Sequence, residues 1–250
     1  MPDWKSPPMR GHRSASLTRR TLLLGAVAPL AGCAVSRPRP SAETAVMAPP
    51  VVQPDPRLVA MYAAIPDERF PIPAVDITQV DPQFLRQEVT YATAEQPGTI
   101  VVDTNSRFLY LVREGGRALR YGVGVGKEGL SWSGRAVIQM KREWPRWTPT
   151  QNMIRRDPEL ARYAGGKEPG LDNPLGVRAL YLFENGRDTL YRLHGTNEPW
   201  SIGMAMSSGC VRLFNQDIID LYKRVPIGTR VLVLDHRPNM AASAFNGRAI

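Results

Sequence analysis

Thr99-Ile100-Val101-Val102-Asp103-Thr104-Asn105-Ser106-Arg107-Phe108-Leu109-Tyr110-Leu111-Val112-Arg113-Glu114-Gly115-Gly116 has the pattern of a β-hairpin. Two runs rich in β-branched, aliphatic and aromatic residues, Thr99 to Asp103 and Arg107 to Arg113, flank Asn105-Ser106, and Glu114-Gly115-Gly116 follows them. Such side chains suit a pleated, half-buried surface, whereas Asn, Ser and Gly supply the conformations that reverse the chain. The texture continues outward. Leu119 to Val125, Ala136 to Lys141, Ala179 to Phe183, Thr189 to His194 and Arg230 to Leu234 read as further strands, with Asn185-Gly186 as another turn. Closely spaced strands with hairpin-like links predict a mainly β fold, an antiparallel sandwich or barrel rather than a βαβ sheet. Short helices are predicted at Pro158 to Tyr163 and from Asn215, a candidate N-cap, through Ile218, Ile219 and Tyr222 on one face. The chain has no internal repeat, P-loop, dinucleotide-type glycine fingerprint or heptad pattern.

Towards the N-terminus the texture changes at Pro97-Gly98. Residues 57–97 carry one predicted helix at Arg57 to Ala64, the stretch Phe70-Pro71-Ile72-Pro73, and a second predicted helix at Asp81 to Gln87, and read as an arm lying on the β domain. Residues 33–56, dominated by Ala, Pro, Val and Ser, have few large side chains to bury and read as an extended tether. Residues 1–32 place basic residues before the uncharged run Thr21 to Ala31, in the order of an export signal. Thr18-Arg19-Arg20-Thr21-Leu22-Leu23 resembles a twin-arginine signal, and Leu30-Ala31-Gly32-Cys33 resembles a lipobox. That resemblance implies cleavage before Cys33, lipidation of Cys33, and attachment to a membrane of the cell envelope, in the periplasm. An ordinary secretory signal with a chance cysteine is the alternative. The β domain then runs over 98–235, with a C-terminal tail at 236–250.

Composition narrows the function classes. A hydrophobic share of 43% and a charged share of 22% exclude wholesale disorder and a polytopic membrane protein. The net charge is +9; without residues 1–32 the remaining 27 basic and 22 acidic residues leave +5. That balance favours anionic partners, but no nucleic-acid motif is present and an exported chain rarely meets nucleic acid. Cysteine occurs only at 33 and 210, and histidine only at 12, 194 and 236. With Cys33 in the leader, no internal disulfide is available, and a zinc site of the usual composition is not expected. No cofactor or metal is expected.

The chemistry-bearing segment is Tyr191-Arg192-Leu193-His194-Gly195-Thr196-Asn197, followed by Glu198-Pro199-Trp200-Ser201-Ile202-Gly203 and closing on Ser207-Ser208-Gly209-Cys210-Val211-Arg212. A thiol with a pKa of about 8.5 is mostly protonated at neutral pH, so a nucleophilic Cys210 needs a base within reach, and His194 is the candidate. Gly209 permits a tight turn before the nucleophile. Amide groups around Ser208, Gly209 and Cys210 are then candidates for an oxyanion hole. The competing reading is a buried structural cysteine and a satisfied histidine at a strand end.

This segment resembles the signature of the L,D-transpeptidase catalytic domain, or YkuD domain: His-Gly-Thr, a gap, then Ser-His-Gly-Cys, an apolar residue and Asn or Arg. Asn197, Pro199, Ser201, Ile202, Gly203, Leu213, Asn215 and Asp217 also stand where the family often has them. The resemblance covers roughly Pro97 to Leu234. It implies a mainly β sandwich with short helices and an insertion over the active site. It also implies Cys210 as nucleophile, His194 as general acid and base, and the Gly195 carbonyl as the group orienting the imidazole. Ser207, Gly209 and Arg212 fall on motif positions that shape the turn and a substrate-carboxylate site; Arg212 suits that role, because a guanidinium grips a carboxylate through two parallel hydrogen bonds. Its alternative is a structural salt bridge. Tyr191 and Trp200 are further substrate-binding candidates, Trp200 with Met204 and Met206 forming an apolar wall or merely packing the loop. Arg142-Glu143-Trp144-Pro145-Arg146-Trp147-Thr148-Pro149 either lines the cleft or joins the core, Gly170 to Gly176 is a structural turn near the site, and His236 is structural. The chain departs from the motif at Ser208, where the family usually has histidine.

The implied reaction is acyl transfer on peptidoglycan stem peptides, with D-alanine expelled from a tetrapeptide. The acceptor is a diamino-acid side chain (a 3–3 cross-link), a protein amine, or water, as in an L,D-carboxypeptidase. The reading from a different class is a catalytically silent peptidoglycan-binding lipoprotein in which Ser208 marks loss of the site.

Overall fold

The computed structural model describes residues 54–126, 132–206 and 210–234. The leader, Cys33, most of the tether, Ser207, Ser208, Gly209 and His236 therefore lie outside the described residues. All described residues belong to the compact unit Val51–Ile250. Among the described residues eleven strands form one sheet: β1 (Gln87–Thr90), β2 (Ile100–Asp103), β3 (Phe108–Arg113), β4 (Arg117–Gly122), β5 (Gly124–Gly126), β6 (Gly134–Glu143), β7 (Arg178–Glu184), β8 (Arg187–His194), β9 (Ala205–Met206), β10 (Val211–Arg212) and β11 (Arg230–Val233). Three short α-helices accompany them: α1 (Pro56–Met61), α2 (Gln151–Arg156) and α3 (Asn215–Arg224).

The spatial order is β1-β4-β3-β2-β11-β6-β7-β8-β10-β5-β9. Only Val123 separates β4 from β5, yet β4 pairs with β1 and β3 whereas β5 pairs with β10 and β9. One chain segment thus belongs to both ends of the strand order, so the sheet must fold over on itself. Its enclosed face is filled by Ile100, Leu109, Ile138, Leu180, Leu182 and Leu193, each at most 1% exposed, and α3 adds Ile218 and Leu221. The fold is mainly β with short helices, as the strand texture predicts. The expectation of antiparallel pairing needs one correction. β2/β11, β8/β10 and β5/β9 are parallel, each pair joined by the long connection that parallel pairing requires, while the remaining pairs, from the hairpin neighbours β2/β3 and β7/β8 to the distant β6/β11, are antiparallel.

Three local expectations also change. Asp81 to Gln87 is not a helix: Asp81 caps a single 3-10 turn, Pro82–Phe84, and the chain then extends as β1 on β4. Val89 and Thr90 are β-branched, and pairing with β4 outweighs the local helical preference. Pro158–Tyr163 is a 3-10 helix capped by Asp157. α3 has Phe214, not Asn215, as its N-cap, because the Asn215 carboxamide is engaged with Thr196.

Residues 54–97 are built into the domain. Ile72 joins the main core, and Tyr62 and Leu85 form a second cluster with Ile202 and Phe214. The Tyr62 hydroxyl accepts from the Arg86 amide at 2.6 Å and donates to Asp217 Oδ2 at 3.0 Å. Asp217 is fully buried; desolvation lifts its pKa to about 7, against the pull of Arg86 and the Tyr62 hydroxyl. Among the described residues no helix is long and apolar enough to cross a membrane.

Tyr62→Phe removes one hydroxyl and leaves the buried Asp217 carboxyl and the partly buried Arg86 amide without it. We expect a loss of about 1–3 kcal/mol in urea unfolding with an unchanged m-value. A loss below about 0.5 kcal/mol would mean that this hydroxyl does not tie the arm to α3.

Candidate active site

The site grows from one register. β8 and β10 run parallel, with Leu193 opposite Val211 and His194 opposite Arg212. Leu193 and Val211 point into the core. Strand alternation therefore turns His194 and Arg212 to the other face, and Cys210 stands at a bend immediately before β10. All three line one cleft of about 530 Å³. The 34-residue connection between β6 and β7 roofs it with Trp147, Met153, Leu160 and Leu175. Thr150 Oγ1 accepts from the Met153 amide and starts α2, a Thr-capped turn that the sequence reading passed over. Asn173 ties the connection together: its Nδ2 donates to the carbonyls of Pro145 and Glu168, and its Oδ1 accepts from the Leu175 amide.

His194 is 4% exposed, and its Nδ1 lies 2.6 Å from the Gly195 carbonyl oxygen. A carbonyl only accepts, so Nδ1 carries the hydrogen and Nε2 of the neutral ring is left as the acceptor. Burial, reinforced by the Arg212 charge, pushes the imidazole pKa down to about 3. The ring is therefore neutral at physiological pH. Gly195 and Gly176 are required by close approach: a Cβ at Gly195 would overlap Asn215 Oδ1, and one at Gly176, which has φ +61°, would overlap the Thr196 amide. Asn215 fixes this turn from both sides, accepting from the Thr196 amide at 3.1 Å and donating to the Thr196 carbonyl at 2.9 Å.

Cys210 is partly buried, with Sγ 3.9 Å from the Leu190 carbonyl oxygen. That carbonyl is presented by a bulge. Tyr181 pairs with Arg192 and Phe183 with Asp188, so Thr189, Leu190 and Tyr191 face the single residue Leu182. Leu190 takes φ +64°, a left-handed conformation that costs a residue with a Cβ about 1–2 kcal/mol. The bulge is held by the Leu190 amide donating to Asp188 Oδ1 and by Thr189 Oγ1 donating to the Leu182 carbonyl. No residue type in this stretch announces it beforehand. Tyr191 lines the cleft and stacks on Trp132 with ring centroids 5.0 Å apart.

Arg212 Nη1 donates to Glu198 Oε2 at 2.8 Å. Glu198, which the sequence reading quoted but gave no role, also lines the cleft. Trp200 does not: it is 59% exposed and borders a separate cavity of about 320 Å³ beside the arm, and Met204 is likewise exposed. The tryptophan-rich stretch divides, with Trp147 in the cleft and Trp144 in the core, where its Nε1 donates to Glu68. Pro174 and Leu175 from the predicted Gly170 to Gly176 turn reach the cleft wall. Among the described residues no group of three or more His, Cys, Asp or Glu side chains is placed to hold a metal. The cleft thus combines a thiol, a neutral imidazole with a defined tautomer, and one charged pair.

The L,D-transpeptidase catalytic domain family, YkuD, matches residues 97–233, more than half of the chain, and the chain belongs to that family. Among curated proteins it is similar to the probable L,D-transpeptidase YbiS of Escherichia coli K12, with 34% identity over 160 residues covering 60% of this chain and 48% of that one. Similarity to the putative L,D-transpeptidase YkuD of Bacillus subtilis is 56% over 61 residues, covering 24% of this chain and 37% of that one. The matched region spans about half the length of YbiS. A solved chain from Brucella melitensis, described as a probable carnitine operon oxidoreductase, is 52% identical with a TM-score of 0.44, covering 64% of this chain and 99% of that one.

Holding His194 neutral has a pH signature. Its folded pKa lies below the ordinary 6.5, so the unfolded chain binds the proton more readily. The resulting stability is fully present above pH 6.5 and is lost as the pH falls towards 3. We expect the stability gap between the wild type and His194→Gln to shrink from pH 7 to pH 4 in parallel urea titrations. A gap that stays constant or widens on acidification would contradict a buried neutral imidazole.

Proposed function

We propose that this protein is a peptidoglycan L,D-transpeptidase in which Cys210 is the nucleophile and His194 the general acid and base. The observation that carries this reading is the cleft shared by Cys210 and a buried His194 whose Nδ1 is committed to the Gly195 carbonyl. His194 Nε2 takes the thiol proton as Sγ attacks the carbonyl carbon of the L–D peptide bond in a tetrapeptide stem. The imidazolium then gives that proton to the leaving amine, D-alanine departs, and a thioester remains on Cys210. An acceptor amine attacks the thioester carbon, the C–S bond breaks, and the amine proton returns through His194 to the thiolate. Energy released by the first peptide bond is retained in the thioester, so no nucleotide is needed.

Low dielectric helps the transfer. Desolvation makes His194 a weak base in the resting site, but the thiolate and imidazolium formed during attack stabilise each other strongly in a cleft roofed by apolar side chains. Amides around Ser208, Gly209 and Cys210 supply the oxyanion hole in this reading, with Ser207 shaping the turn. Ser208 substitutes a hydroxyl donor for the usual motif histidine. Export through the 1–32 leader, cleavage before Cys33 and lipid anchoring place the domain in the periplasm, with residues 33–56 as spacer. Tyr191 contributes a wall of the cleft to the stem peptide.

The test is intact-mass spectrometry of the purified protein with disaccharide-tetrapeptide, beside Cys210→Ala and His194→Ala. Expected are release of D-alanine and a Cys210-dependent acyl adduct or dimer, abolished in Cys210→Ala and slowed at least 10³-fold in His194→Ala, the scale at which linked nucleophile and base act. A folded wild type giving no adduct and no product with several stems would overturn the reading in favour of a silent binding protein.

A further inference from the structure

The cleft holds one carboxylate and one guanidinium among its described lining residues, Glu198 and Arg212, and they are paired at 2.8 Å. Neither is swamped by solvent: the Arg212 side chain is 11% exposed and that of Glu198 38%. The two come from different elements. Arg212 is fixed on β10, in register with His194, and Glu198 stands on the turn after β8, where its amide donates to Thr196 Oγ1 at 2.9 Å. A positive and a negative group side by side in a cleft wall match a ligand with the same two charges at one carbon.

We propose that Arg212 and Glu198 together form a binding site for a free α-amino carboxylate, the carboxylate taken by Arg212 and the ammonium by Glu198. This rests on the acyl-transfer reading for its substrate: the ligand is the uncommitted amino-acid centre at the end of a diamino-dicarboxylic side chain in the donor stem. Spacing supports the assignment. Cys210, at the bend before β10, and Arg212, on β10, are two residues apart and line the same cleft, so their Cα atoms are at most about 7 Å apart. In a diamino-dicarboxylic acid of the 2,6 type, five carbon–carbon bonds separate the acyl carbon at one centre from the other centre. Extended as a zigzag, in which each bond of about 1.5 Å advances about 1.25 Å, these span about 6 Å. A residue acylated on Cys210 therefore brings its free end to the charged pair. Arg212 is set to discriminate as well as bind, since a diamino acid lacking the second carboxylate offers its guanidinium no anion to take. The guanidinium fork, with five donors, has the capacity to serve Glu198 and a ligand carboxylate together.

The test is calorimetric binding to full-length Cys210→Ala, which cannot turn over, using three tetrapeptide stems. One carries intact 2,6-diaminopimelate, one has its free carboxyl amidated, and one has its free amine acetylated. Each modification is expected to weaken binding about 10- to 100-fold, the range of one charge-assisted hydrogen bond. In Cys210→Ala/Glu198→Gln the contrast between intact and acetylated stems should collapse, while the contrast between intact and amidated stems persists through Arg212. Glu198→Asp, which keeps the charge, should restore part of the amine contrast. If the amine contrast survives Glu198→Gln unchanged, or if intact and modified stems bind alike, the proposal is overturned. Thermal melts confirm that each variant is folded. Binding contrasts without turnover by the wild type would sink the acyl-transfer reading alone, and turnover without contrasts would sink this one alone.

Discussion

The parallel pairing of β8 with β10 is the constraint on which the site depends. The register that buries Leu193 against Val211 leaves His194 and Arg212 no choice of face, and carries Cys210 with them. A slip of β10 by one residue would turn Arg212 towards the core and Val211 out to the cleft, and a slip of β8 would do the same to His194 and Leu193. Core packing and site assembly are therefore the same event. The connection between the two strands opens on the Gly195 carbonyl that holds the imidazole, carries Glu198 to the cleft and closes on Cys210, so what the register aligns the connection completes.

The rest of the molecule secures that register. Asn215, on the first turn of α3, binds both polar groups of Thr196, so the helix sets the turn whose carbonyl orients His194. α3 is held in turn by the arm through Tyr62, Arg86 and Asp217, and Gln216 Nε2 donates to the Pro73 carbonyl. A chain of hydrogen bonds thus connects residues 62–86 to the imidazole by way of one helix. Burying Asp217 in the middle of it is costly, as its raised pKa reports, and Arg86 and the Tyr62 hydroxyl offset that cost.

Much of this was legible beforehand, for physical reasons. Seven strand positions were readable because β-branched and aromatic runs are bounded by Gly, Asn and Ser. Cys210 and His194 stood out because both residue types are so scarce. What was not legible depended on long-range pairing. Nothing local marks Gln87 to Thr90 as a strand until the edge of β4 is available to it, and nothing in Thr189-Leu190-Tyr191 marks a bulge, since Leu190 takes its left-handed conformation under tertiary constraint. Asn215 looked like a cap because Asn caps helices, but its carboxamide is worth more against two orphaned backbone groups of Thr196. Glu198 passed unnoticed because its meaning lies in Arg212, fourteen residues further on.

His194 is held with its Nδ1 hydrogen committed to Gly195, in the cleft that Cys210 also lines, and in the proposed reaction its Nε2 is the base for that thiol. The most direct measurement is long-range ¹H–¹⁵N NMR of the His194 ring at pH 7, in protein labelled at histidine nitrogens and compared with His194→Gln for assignment. A neutral ring protonated at Nδ1, with Nε2 at the shift of a bare acceptor nitrogen, is the expected result. A charged ring, or a neutral ring carrying its proton on Nε2, would contradict it, because neither form has a lone pair on Nε2 with which to take the proton from Cys210.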